Sequence, residues 1–143
     1  QAHVPPLVGR MIGRPWVPEM TPAYARLCLP LLVALMLSEG RIDPRRFDAA
    51  TFTDANLRAI GDRVRIVEVA GDANALAPQR IVVLLGDGRV LDRQVATGLG
   101  HPANPLPAAE RTAKQRFALS LAVGPVDPRL RDNPLAWLVD AKG

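Results

Sequence analysis

Few side chains in this 143-residue sequence could carry chemistry, and they stand far apart. His101, between Gly100 and Pro102, is the one able to exchange protons near neutrality. Read plainly, a histidine in such a loop hydrogen-bonds the backbone and keeps the loop rigid. Read functionally, it contacts a substrate. Arg10 and Arg14 lie in an apolar leading segment, and Lys114 follows the histidine loop. A carboxylate substrate would want such cations, arginine for its forked pair of donors. Each also suits a solvated surface. His3, near the start, reads as solvent-exposed. Cys28 stands among aliphatic residues and reads as a small core residue. A reactive thiolate needs a base or cation beside it, and only Arg26 is near in sequence.

Several chemistries fail for lack of parts. Two histidines and one cysteine without paired spacing make no metal site. Gly98-Leu99-Gly100 lacks the rest of a dinucleotide fingerprint, and the next helix starts too late to cradle phosphates. Ser38 and Ser120, the only serines, both fall inside helical patterns, and no Gly-x-Ser-x-Gly elbow exists. What remains is a domain without a complete active site, which is either a binding module or part of a larger enzyme.

Composition narrows the partners. Hydrophobic residues at 48% and charged residues at 22% fit a globular domain rather than a disordered chain. The net charge of +4 invites a nucleic-acid reading. The arginines are scattered among acidic neighbours, however, and aromatics at 4% are too few for a base-stacking platform. The longest apolar run, 27–37, is too short to span a bilayer. One cysteine cannot form an internal disulfide, so the expected setting is the cytoplasm. The abundance of arginine, alanine and proline suits a bacterial, high-GC genome.

The elements that must position these residues follow from periodicity and punctuation. Residues 1–22 carry seven prolines and glycines, which predict an extended arm anchored by apolar pairs. Residues 23–38 read as a buried helix, either kinked at Pro30 or regular only from Pro30 onward, and stopped by Gly40. Asp43-Pro44 and Thr53-Asp54 are helix starts, the first for a short helix over 44–50 and the second for a helix ending near Gly61. Alternation predicts strands at 64–69, 80–85 and 89–95, with a polar loop over 71–78 and a Gly-Asp-Gly hairpin turn at 86–88. An ordered loop over 98–107 leads into a helix over 108–122, with Ala109, Ala113, Phe117 and Leu121 on one face and a Glu110–Lys114 pair on another. A last short helix falls around 135–139. The expected fold is α+β: a single domain with a small antiparallel sheet of about three strands, packed with helices. Such a thin sheet needs covering.

Three stretches in order carry a resemblance: 18–30 running into the apolar helix and Gly40, the hairpin 82–89, and 99–106 followed by Lys114 and Phe117. Together they resemble the C-terminal domain of the MmgE/PrpD family, the 2-methylcitrate dehydratase family, over nearly the whole chain. The resemblance implies a small α+β lid domain preceded by a larger helical catalytic domain, which this chain lacks. It implies a cleft between the two that acts on small polycarboxylates by proton transfer next to a carboxylate. The reaction would be that of a lyase (a hydro-lyase) or an isomerase, with no cofactor or metal, and commonly in a homodimer. Most of the family's catalytic histidines and lysines precede the matched region, so the chain alone is expected to be inactive. Some members carry a tyrosine in the arm before the buried helix. Here Met11, Arg14 and Trp16 stand near that place, which speaks against the decarboxylase among the family's activities. His101, Arg14 and Lys114 are the residues expected to face substrate. The alternative is a free-standing interaction or dimerisation module without catalysis.

Overall fold

The helix-start signals in the first half of the sequence are each used once. Thr21 accepts a hydrogen bond from the Tyr24 amide and caps a short helix, Pro22–Ala25. Asp43 accepts from the Arg45 amide at 3.0 Å and opens a 3-10 turn over Pro44–Arg46. Asp48 accepts from the Thr51 amide at 2.8 Å ahead of Ala49–Phe52. Asp54 takes both the Asn56 and Leu57 amides ahead of Ala55–Gly61. In each case a short polar side chain satisfies amides that the first helical turn leaves without partners. The Arg45 guanidinium also clamps the Asp43 carboxylate, at 2.6 Å, and holds its pKa down at about 2.

The computed structural model describes residues 1–70 and 78–132. Their contacts divide the chain into two compact units, Gln1–Thr97 and Gly98–Gly143. In the first unit a four-stranded sheet is built from β1 (Ala2–Val4), β2 (Ile66–Glu68), β3 (Gln79–Leu84) and β4 (Val90–Val95), in the order β2-β1-β3-β4. β1 runs parallel to β2, pairing Ala2 with Ile66 and Val4 with Glu68. It runs antiparallel to β3, pairing His3 with Arg80. β3 and β4 pair antiparallel from Gln79↔Val95 to Leu84↔Val90.

The α+β class is therefore as expected, but the sheet is mixed and has four strands where three antiparallel ones were expected. The added strand comes from residues 2–4. Three residues are too few for alternation to register, and their place between β2 and β3 depends on backbone groups far away in sequence. Nor is 1–22 extended throughout. α1 (Pro6–Ile12) starts with proline at its first position and closes on Gly13, whose amide donates to the Gly9 carbonyl at 2.8 Å. A Cβ on Gly9 would fall 2.7 Å from the Glu68 carboxylate, so the small residue lets α1 lie close on β2.

The remaining helices form the core largely by themselves. α2 (Pro22–Ala25) and α3 (Leu29–Glu39) replace the single helix expected over 23–38. The regular part starts beside Pro30, which lies in the first turn, where its missing N–H costs nothing. The backbone between the two helices pairs instead across a Gly13↔Cys28 bridge. α4 (Ala49–Phe52) and α5 (Ala55–Gly61) complete the set. The buried cluster is Trp16, Met20, Ala25, Cys28, Leu31, Ala34, Leu35, Phe47, Phe52 and Leu57. Trp16 is fixed on several sides. Its indole N–H donates to the Phe52 carbonyl at 2.9 Å, the Arg58 guanidinium lies 5.7 Å from its ring centroid, and Gly61 leaves room for its edge.

The hairpin is formed as its sequence predicts. The Gly88 amide donates to the Leu85 carbonyl at 3.1 Å and the Leu85 amide to the Arg89 carbonyl at 2.9 Å. Gly88 has φ +85°, the left-handed residue that a three-residue hairpin loop requires. Every residue of β4 is exposed. Leu84, Val90 and Leu91 remain 73%, 58% and 51% exposed, so this end of the sheet adds nothing to the core. The loop expected over 71–78 lies outside the described residues except for Pro78, and the helix expected around 135–139 lies wholly outside them. Among the described residues no helix is long and apolar enough to cross a membrane.

Candidate functional site

The second unit turns on a short, heavily hydrogen-bonded loop. The Asn104 amide donates to the His101 carbonyl at 2.8 Å, closing a β-turn with Pro102 at its second position, where the ring's fixed φ is favoured. The Gly100 amide donates to the Asn104 carbonyl at 2.8 Å, and the His101 amide to the Gly98 carbonyl at 3.2 Å. Gly100 takes φ +94°, a value costly for any residue with a Cβ. The His101 side chain joins the same network, its Nδ1 accepting from the Ala103 amide at 3.0 Å. The plain reading of His101, a side chain that fixes its own loop, is thus observed.

Pro107 precedes α6 (Ala108–Ser120), which ends two residues short of the expected 108–122, with Leu121 as the cap. Phe117 and Leu121 are half-buried, whereas Ala109 and Ala113 stay exposed, and no residue of α6 is buried. Glu110 and Lys114 do not close into an ion pair, and Lys114 has no partner among the described residues. Gln115 donates to the Leu130 carbonyl at 2.6 Å and ties α6 to α7 (Arg129–Asp132).

Between loop and helix lies an open concavity of about 620 Å³. Gly100, His101, Pro102, Pro105 and Leu106 line it from the loop, and Arg111, Lys114, Gln115 and Ala118 from one face of α6. His101 and Lys114, thirteen residues apart in sequence, are therefore brought to one surface. Arg111 is the residue that sequence reasoning did not single out. Its position one turn before Lys114 was the available signal, since residues three apart share a helix face. Among the described residues of this lining, Arg111 and Lys114 are the only ones with a formal charge.

Arg14 belongs to the other unit and lines no part of this concavity. Its guanidinium lies 5.2 Å from the centroid of the Tyr24 ring, and its amide donates to the Leu27 carbonyl. Tyr24 is held in turn by its hydroxyl, which donates to the Pro15 carbonyl at 2.9 Å. His3 was expected to be solvent-exposed, but it is half-buried in β1, because the strand runs down the middle of the sheet. It lines a second concavity of about 430 Å³ with Arg80 and Gln94, near the strand ends. Arg80 there is paired with Asp92, which keeps the Asp92 carboxyl below its ordinary range. Cys28 is fully buried, and burial pushes its thiol pKa up, which removes it as a nucleophile. Among the described residues no three His, Cys, Asp or Glu side chains gather where a metal ion could sit.

No curated protein matches the chain. The profile of the MmgE/PrpD C-terminal domain matches residues 1–131, which covers the first unit and runs through the histidine loop and α6 of the second into α7. The chain belongs to the MmgE/PrpD C-terminal domain family.

Proposed function

We propose that this domain is the lid-like part of a 2-methylcitrate dehydratase-like enzyme. In this reading it closes over a small polycarboxylate that reacts by proton abstraction beside a carboxylate, followed by elimination or isomerisation. A larger helical domain supplies the base, and the enzyme works in the cytoplasm as a homodimer. His101 and Lys114 face the substrate from the second unit, and Arg14, in the first unit, is a separate candidate for a carboxylate contact. The observation that carries the reading is the family match over residues 1–131. The cationic concavity beside His101 supports it, because an anionic substrate needs donors that no neighbouring carboxylate has already taken.

The test is made on the natural gene product. The expected result is a protein about three times the mass of this chain, by the rough rule of ~150 residues per domain, that dehydrates 2-methylcitrate or a related acid. The 143-residue chain alone should give no turnover. Turnover by the chain alone would sink the lid reading. A natural product of this chain's own mass would instead select the alternative, a free-standing interaction module. The exposed leucines and valines of the β3–β4 hairpin favour that second reading.

A further inference from the structure

His101 has two ring nitrogens, and the structure commits one of them. Because the Ala103 amide donates to Nδ1, that nitrogen carries a lone pair. In the neutral ring the proton then sits on Nε2. His101 in this state presents a donor through Nε2 and has no free acceptor for a substrate proton. Arg111 and Lys114 line the same concavity, and neither has an ion-pair partner among the described residues. All three groups are donors. The rest of the lining is largely apolar, from Pro102, Leu106 and Ala118.

We propose that this concavity binds a carboxylate carried on a short hydrocarbon backbone and holds it without reacting with it. Arg111 supplies a forked pair of N–H donors, Lys114 a compact positive charge, and His101 a neutral N–H from Nε2. The apolar side chains take the hydrocarbon, which a bare phosphate would leave uncovered. The identification of that carboxylate as part of the substrate rests on the enzyme reading above. On that reading His101 orients substrate and is not the base, which must come from elsewhere.

Substitutions can separate this role from a structural one. Asparagine at 101 keeps an acceptor for the amide two residues on, a turn that asparagine side chains make readily, and it takes the donor away from the Nε2 position, its own NH2 group lying one bond nearer the backbone. The 143-residue chain would be titrated with tricarballylate, a saturated tricarboxylate, and with inorganic phosphate, followed by NMR of the His101 ring and the Ala103 amide. The expected result is saturable binding of tricarballylate, tighter than phosphate, with the ring in its Nε2–H form. His101→Asn, Arg111→Met and Lys114→Met should each weaken it by roughly three- to tenfold, as loss of one charge-assisted or well-aligned donor does. The last two lie on an exposed helix face and do not threaten the fold. Failure of tricarballylate to saturate, binding unchanged in His101→Asn, or phosphate binding as tightly as tricarballylate would overturn the proposal. A longer gene product that dehydrates its acid while this concavity stays empty would sink this assignment alone. Binding here without turnover by that product would sink the enzyme reading alone.

Discussion

Two apolar runs of this chain have opposite fates. The run 27–37 leads into α3 (Leu29–Glu39), which buries Leu31, Ala34 and Leu35 completely. Residues 81–85 and 90–91 form the β3–β4 hairpin and leave Leu84, Val90 and Leu91 more than half exposed. Hydrophobic content is similar, so content is not what decides burial. α3 is nearly apolar all round, and α5, Trp16 and Phe52 close over it. The hairpin is held by its own ladder of backbone bonds and by the Arg80–Asp92 pair, none of which requires a covering layer. One region is stabilised by excluding water, the other by local pairing.

The comparison can be sharpened with one substitution made twice. Leu31→Ala should cost about 3 kcal/mol, from lost transfer energy and the cavity left behind, read as a fall in the denaturant midpoint with the slope unchanged. Gly61→Ala comes next, at about 2 kcal/mol. A Cβ there would lie 2.7 Å from a ring carbon of Trp16 and 3.3 Å from the Pro30 carbonyl oxygen. A pinned indole cannot move aside, so thermal unfolding should start earlier. The same truncation on the hairpin, Leu84→Ala, should change stability by no more than about 0.5 kcal/mol, as surface changes do. A cost at Leu84 near that at Leu31 would break the comparison, because it would mean that the hairpin's apolar side chains are covered.

Much of the local structure was legible because it depends on neighbours in sequence. Asp43 and Asp54 cap where a short acidic side chain precedes a helical stretch. Gly86-Asp87-Gly88 turns because glycine reaches positive φ. His101 hydrogen-bonds its own loop, the plain one of the two readings its place between glycine and proline allowed. The site was half legible. Lys114 was singled out from its place after the histidine loop, whereas Arg111, which shares its helix face, was not. Arg14 was grouped with them by charge alone, yet it lies in the other unit against Tyr24.

The sequence by itself determined the α+β class, the hairpin, the helix starts and the family, because these follow from propensity, capping and motif order. Tertiary structure alone decided that residues 2–4 slot between β2 and β3, since a three-residue strand has no periodicity and takes its register from distant partners. It also decided which apolar run became the core. Alternation and hydropathy state what a segment can bury, and only the neighbours that fold onto it settle whether it does.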